Sequence, residues 1–242
     1  MSDIVVRQVA PNVTTFSRPF TRFLGLFPMG GRSTAIKLSD GSVWVIASTP
    51  LSAETMEAIS LMGPVKYILA ASADHHRFLA EWHRAYPNAS IIGVEGLPEK
   101  TNAEGLSFSG LYGVDSPDTR YGFEDEIQAC YFNGFAKRDV AWLHIASKTL
   151  IVADLIFNLP ANEQYTMSHS KAKPAFFMPK LAPGNKAMQK FVWSQGKDKE
   201  AMRRDARIVA GWDFERIIMC HGDIIETDAK KAWESVYARY LL

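Results

Sequence analysis

Runs of β-type sequence followed by helical sequence occur twice along this chain, and that repetition narrows the folds open to it. In the first half, residues 4–17 alternate loosely around Pro11-Asn12, which predicts two short strands. Ser33–Leu38 and Val43–Ala47 flank Asp40-Gly41, a strong hairpin signal. Thr49-Pro50 opens a helix that runs through Ser52–Met62 and stops at Gly63-Pro64. A strand over 65–70, a helix over 76–86 and a strand over 90–94 follow. The second half offers β-type segments at 127–132, 139–145 and 149–154. An amphipathic helix over 197–212, a strand over 215–221 and a helix over 229–241 complete it. Residues 95–120 read as loop with a short helix. Residues 159–186 hold four prolines and no clear period, so an irregular insertion is placed at about 159–196.

Two such halves predict an α/β fold in which two sheets pack together with helices outside, a four-layer αββα sandwich spanning residues 1–242 as a single domain. A doubly wound parallel sheet demands stricter alternation than residues 127–154 allow. With 242 residues, 47% of them hydrophobic, the chain can fill such a core. A net charge of +1 gives no basis for a nucleic-acid or anionic-membrane partner. Two distant cysteines make no disulfide framework and fit a reducing compartment. The N-terminus lacks the pattern of a signal peptide, and no apolar run approaches the roughly 20 residues of a membrane helix. A cytoplasmic protein with a small-molecule partner is the expectation.

Chemistry-bearing residues gather at strand ends. Asp74, His75 and His76 follow the strand over 65–70. Asp154 closes Leu150-Ile-Val-Ala-Asp, and His221 closes Ile217-Ile-Met-Cys-His, with Gly222 and Asp223 after it. Loops at one sheet edge can converge without breaking the ladder, so α/β proteins assemble sites there. Each residue also has a plainer role. Asp74 is a good helix N-cap, His76 a first-turn residue and Asp223 a turn former. His144 reads as a cross-strand histidine and His83 as solvent-facing. His169, Phe176-Phe177-Met178 and Trp193 are weaker pocket candidates. Residues 18–31, with three phenylalanines, two prolines and three glycines, form either an apolar loop over a pocket or a hairpin tucked onto the core. Ser72 lies near two histidines but has no nucleophile elbow around it.

The chain resembles the metallo-β-lactamase fold superfamily, and within it the DUF4336 branch, a domain of unknown function frequent in fungi. The resemblance rests on Trp44-Val-Ile-Ala-Ser-Thr-Pro, Gly63-Pro-Val-Lys-Tyr-Ile-Leu-Ala, His75-His76-x-Phe-Leu-x-x-Trp and Tyr86-Pro-Asn-Ala. Thr149-Leu-Ile-Val-Ala-Asp, Trp212-Asp-Phe and His221-Gly-Asp extend it over roughly residues 5–240. It implies a metallo-β-lactamase-like sandwich whose H-x-H-x-D-H motif is degenerate here. The two early histidines fall on Ala70 and Ser72, and no histidine stands near Asn133-Gly134-Phe135, so the first of two metal sites is lost. The second set falls on Asp74, His75, Asp154 and His221, with His76 as the ligand in a shifted register. Two carboxylates and two imidazoles leave a divalent ion formally neutral and suit zinc, iron or manganese. The implied activity is a hydrolase-like small-molecule enzyme for an ester, thioester or lactone. It uses at most one divalent metal, with His76 and Asp74 as candidate acid/base groups. Loss of one metal argues against phosphodiester cleavage by a two-metal clamp. A metal-free lyase or isomerase of specialised metabolism, and a non-catalytic binding protein on a degenerate fold, are the alternatives.

Overall fold

Turn chemistry and alternation set the first sheet. The computed structural model describes residues 3–168 and 180–242. Val5–Ala10 (β1) and Val13–Arg18 (β2) pair antiparallel across a turn in which Asn12 takes a positive φ, a conformation asparagine tolerates. Thr21–Arg22 (β3) and Phe27–Pro28 (β4) make a small hairpin. Gly31–Lys37 (β5) returns beside β2 and turns into Val43–Ile46 (β6), where Asp40 accepts bonds from the Ser42 amide and hydroxyl. Ala53–Met62 (α1) is capped by the Ser52 hydroxyl, which accepts from the Thr55 amide. Val65–Leu69 (β7), Leu79–Ala85 (α2), Ser90–Val94 (β8), Leu97–Thr101 (α3) and Gly110–Tyr112 (β9) follow. The sheet order is β1-β2-β5-β6-β7-β8-β9, antiparallel to β6 and parallel from there on.

Ile127–Phe132 (β10), Asp139–His144 (β11) and Thr149–Val152 (β12) form an antiparallel meander. Lys186–Gln195 (α4) and Lys199–Gly211 (α5) lead to Arg216–Met219 (β13), parallel to β12, and Ala229–Leu241 (α6) ends the chain. The second sheet runs β10-β11-β12-β13. Its central strands β11 and β12 are buried on both faces. Val140, Trp142, Ile151 and Ile218 face the first sheet and share a core with Trp44 and Phe123. Their neighbours Ala141, Leu143, Leu150 and Ile217 share the other core with Met202, Trp233 and Tyr237 of the outer helices. Trp44 and Trp142 meet edge-on across the sheets, ring centres 5.4 Å apart. The layers are therefore helix, sheet, sheet, helix, as the alternating halves predict.

Three boundaries differ from the expectations. The helix placed at 76–86 starts at Leu79, with Phe78 at its cap, so Asp74 caps nothing. Long-range bonds hold the preceding segment out of the helix: the Ala73 amide donates to Lys137 O and its carbonyl accepts from Lys100 Nζ. Residues 186–195, assigned to the irregular insertion, form α4, which Asn185 caps and which buries Met188 and Val192. Residues 95–120 hold β9 as well as α3. In the 18–31 segment Phe27 and Met29 are buried, while the hairpin tip leaves Phe23 and Leu24 exposed. His169 and Phe176–Met178 lie outside the described residues. No helix among the described residues is long and apolar enough to cross a membrane.

Candidate metal centre

Four strand ends deliver the site. Ser48 follows β6, His75 lies in the segment after β7, Asp154 follows β12 and His221 follows β13. One ligand atom from each of His75, Asp154 and His221 lies within 4.8 Å of the others. His221 Nε2 stands 3.4 Å and His75 Nε2 3.5 Å from Asp154 Oδ1. That oxygen is buried and has no hydrogen-bond partner. Buried carboxylate oxygens are ordinarily paired, so this one asks for a cation.

Each of the three side chains is held by its surroundings. His221 Nδ1 donates to Gly30 O at 2.6 Å, which fixes the tautomer and leaves the Nε2 lone pair free. Its ring lies between Phe20, stacked at 5.8 Å, and Phe157, edge-on at 5.5 Å. Burial pushes the His221 imidazole down to about 4, so it is neutral at pH 7, as a metal ligand must be. His75 Nδ1 meets Ser48 Oγ at 3.2 Å, and the Ser48 amide donates to Ser33 Oγ. Burial disfavours charge on His75, but Cys220 and Asp154 outweigh it and hold the imidazole well above its ordinary value. A field that keeps a proton on His75 also attracts a cation that would replace that proton.

Asp154 has two faces. Its Oδ2 takes Lys137 Nζ at 2.6 Å, while Oδ1 faces the imidazoles. Burial raises the carboxyl, but His75, His221 and Lys137 together hold it well below the usual range, so it stays ionised. The Asp154 amide donates to the buried Asp139 carboxylate at 2.6 Å. Burial and the Asp154 charge push Asp139 up to about 7.

The structure brings together His75, Asp154 and His221 but not Asp74. Asp74 is exposed at the rim, 3.3 Å from Lys100 Nζ and 3.6 Å from Lys137 Nζ. His76 does not line the cavity; its Nδ1 is buried without a partner, and burial with nearby Lys100 lowers its pKa. His144 bonds Ser147 within its own hairpin. Asp223 accepts from Asn162 Nδ2 and the Glu163 amide and so braces a loop. Trp193 packs at a tilt against Tyr240, ring centres 4.8 Å apart, and is not in the cavity lining. Sequence reasoning missed Lys137, Ser48, Cys220, Asp139 and Arg32. Cys220 adjoins His221, which was the available signal. Lys137 sits in the turn searched for a histidine, two residues beyond Phe135.

A cavity of about 240 Å³ opens over His75 and His221, with Cys220, Ser48, Phe20 and Phe78 in its walls. The turn beneath His221 depends on Gly222, at φ +100, where a Cβ would lie 2.4 Å from Asn158 O. Gly222→Ala is expected to cost about 3 kcal/mol in urea unfolding; a loss below about 0.5 kcal/mol would contradict this role for the turn.

A family model described as Domain of unknown function (DUF4336) matches residues 26–190. No curated protein matches the sequence. Among solved structures, the metallo-β-lactamase from Hirschia baltica superposes with a TM-score of 0.62 at 11% identity, over 98% of this chain and 97% of that one. A metallo-β-lactamase from Erythrobacter litoralis, with β-mercaptoethanol in its active site, gives 0.64 at 16% identity, over 99% and 97%. The metallo-β-lactamase FIM-1 from Pseudomonas aeruginosa, in its mono-zinc form, gives 0.61 at 8% identity, over 100% and 98%. At these identities the likeness is one of fold.

Proposed function

The chain belongs to the DUF4336 family, and from that premise we propose that it is a hydrolase-like enzyme holding one divalent metal on His75, Asp154 and His221 and acting on a small ester, thioester or lactone. The observation that carries this is Asp154 Oδ1, a buried, ionised oxygen with no hydrogen-bond partner, set between two imidazole nitrogens whose rings line an open cavity. Two nitrogens and one oxygen suit zinc, iron or manganese. Support for a single metal comes from the other side of Asp154. Its second oxygen is taken by the Lys137 ammonium, and the neighbouring buried Ala70 and Ser72 offer no imidazole. One relative of the fold, FIM-1, is known in a mono-zinc form, which agrees with one metal sufficing to fill such a site.

A metal bound there supplies Lewis acidity and brings the pKa of a water to about 7. The chain's own residues set up the rest. Gly30 O holds the His221 tautomer, and Ser48 holds the His75 ring. Phe20 and Phe157 keep water from the flanks of His221. Lys137 keeps Asp154 ionised and in place.

A panel of a 4-nitrophenyl ester, a thioester and a γ-lactone tests the proposal on protein stripped by chelator and reloaded. One class is expected to turn over with metal only, and His221→Ala to lose at least about a hundredfold. No turnover by the loaded protein would sink it. The metal-free acid/base alternative draws on one contact set, His75 between Ser48 Oγ at 3.2 Å and Asp154 at 3.5 Å. Under that alternative, turnover survives chelation.

A further inference from the structure

The mouth of the cavity is basic, and among the described residues its charge is only partly matched. Arg18 at the end of β2, Arg22 in β3 and Arg77 ahead of α2 all line it, beside the apolar Phe20 and Phe78. Asp74 is the one carboxylate in the described lining, and it already faces Lys100 and Lys137. Arg32 lies deeper and is matched by Glu163. Among the described residues the one carboxylate that Arg18 meets is Asp3, at 3.5 Å, and the Arg18 Nε is buried with no hydrogen-bond partner there. Among the described residues neither Arg22 nor Arg77 forms an ion pair, and the sequence outside those residues contains no Asp or Glu that could supply one. The whole chain carries only +1, so three arginines at one opening are a local concentration of charge.

We propose that this mouth recognises a carboxylate, and that the substrate is a small organic anion carrying it at the end remote from the reacting carbonyl. Guanidinium groups pair with carboxylates in a two-pronged geometry that a lone ammonium does not offer. The carboxylate sits among Arg18, Arg22 and Arg77, a short apolar stem lies along Phe20 and Phe78, and the carbonyl reaches His75 and His221. The volume of about 240 Å³ is below the roughly 300 Å³ at which drug-sized ligands begin to fit, so the anion is metabolite-sized. The position of the carbonyl rests on the hydrolase reading above; the carboxylate site does not.

Two esters of equal length test it, 4-nitrophenyl hydrogen glutarate with a free carboxylate and 4-nitrophenyl valerate without one. The anionic ester is expected to be preferred about thirtyfold in kcat/KM at low salt, through KM, and the ratio to fall as salt rises. In the double variant Arg22→Gln/Arg77→Gln the ratio is expected to drop below about three. Both residues are exposed, so the variant retains its core. An equal preference in wild type and variant overturns the proposal. Calorimetric titration with glutarate separates this from the hydrolase reading. If neither ester turns over, yet glutarate binds wild type and His221→Ala alike and not the arginine variant, the anion site stands and the hydrolase reading fails. Glutarate binding that is lost in His221→Ala and kept in the arginine variant places the carboxylate on the metal and overturns the proposal, as does no binding at all. Inorganic phosphate displacing glutarate at equal concentration would show a phosphate site and overturn the carboxylate assignment.

Discussion

Asp154→Asn is expected to abolish metal binding while keeping the shape of the site. Asparagine fills nearly the same volume but carries no charge, and the charge is what the surroundings are built to hold. In the native chain three cationic or polarised partners, His75, His221 and Lys137, keep the carboxylate ionised against the cost of burial. The amide side chain offers one weak oxygen where a charged one stood. Zinc affinity, read by competition with a chromophoric chelator, is expected to fall at least about a hundredfold. The same change leaves Lys137, largely buried, without its counter-charge at 2.6 Å, so stability of the metal-free protein should drop by about 2–3 kcal/mol. His221→Ala separates the two effects. It removes a proposed ligand and leaves the Lys137–Asp154 pair intact, so metal affinity should fall with little of the Lys137 penalty. Unchanged zinc affinity in both variants would contradict the three-residue assignment.

Arg32→Met is expected to be the most damaging single change for stability. The guanidinium is buried inside β5 and spans the two sheets. Nη1 donates to Met219 O at 2.7 Å and Gly222 O at 2.8 Å, Nε to Ser17 Oγ at 3.0 Å, and Nη2 to Glu163 Oε1 at 3.2 Å. The two carbonyls bracket Cys220-His221, so one side chain fixes the turn that carries His221. Burial lowers its pKa, with Glu163 the main opposing influence, yet an arginine remains charged at any physiological pH. Methionine matches the apolar stem but takes the donor from two carbonyls, while Glu163 keeps Arg7 and the bond from Ser17 Oγ but loses the buried cation. Breaking a buried ion pair on one side costs about 3–5 kcal/mol, and urea unfolding should show a loss of that size. Arg32→Lys should recover little of it, because an ammonium cannot reach four acceptors in the plane of the fork. A loss below about 1 kcal/mol in Arg32→Met would contradict the bracing role.

The strand ends that carry Asp154 and His221 were readable because apolar runs stop abruptly at a polar residue, and the sheet edge does the gathering. His75 was readable for the same reason. Asp74 was not, because its place depends on where α2 begins. That boundary is set by Lys137 and Lys100, whose bonds to Ala73 span long stretches of chain. Local sequence favoured a cap at Asp74; tertiary hydrogen bonds moved the helix start to Leu79. Lys137 itself carries no pattern. It is one lysine in a polar turn, and only folding shows its ammonium against Asp154. The α4 helix was hidden because its two buried residues, Met188 and Val192, are too few to print a period through Lys186–Gln195. Arg32 opens a mixed run, Gly31-Arg-Ser-Thr-Ala-Ile-Lys, whose neighbouring polar residues give no sign that its guanidinium is buried.

The most direct test is the metal content of the purified chain after expression with zinc, manganese and iron all supplied. About one equivalent per chain is expected in the wild type and less than about 0.1 in His221→Ala. Less than about 0.1 in the wild type, or about two equivalents, would contradict a single centre built on His75, Asp154 and His221.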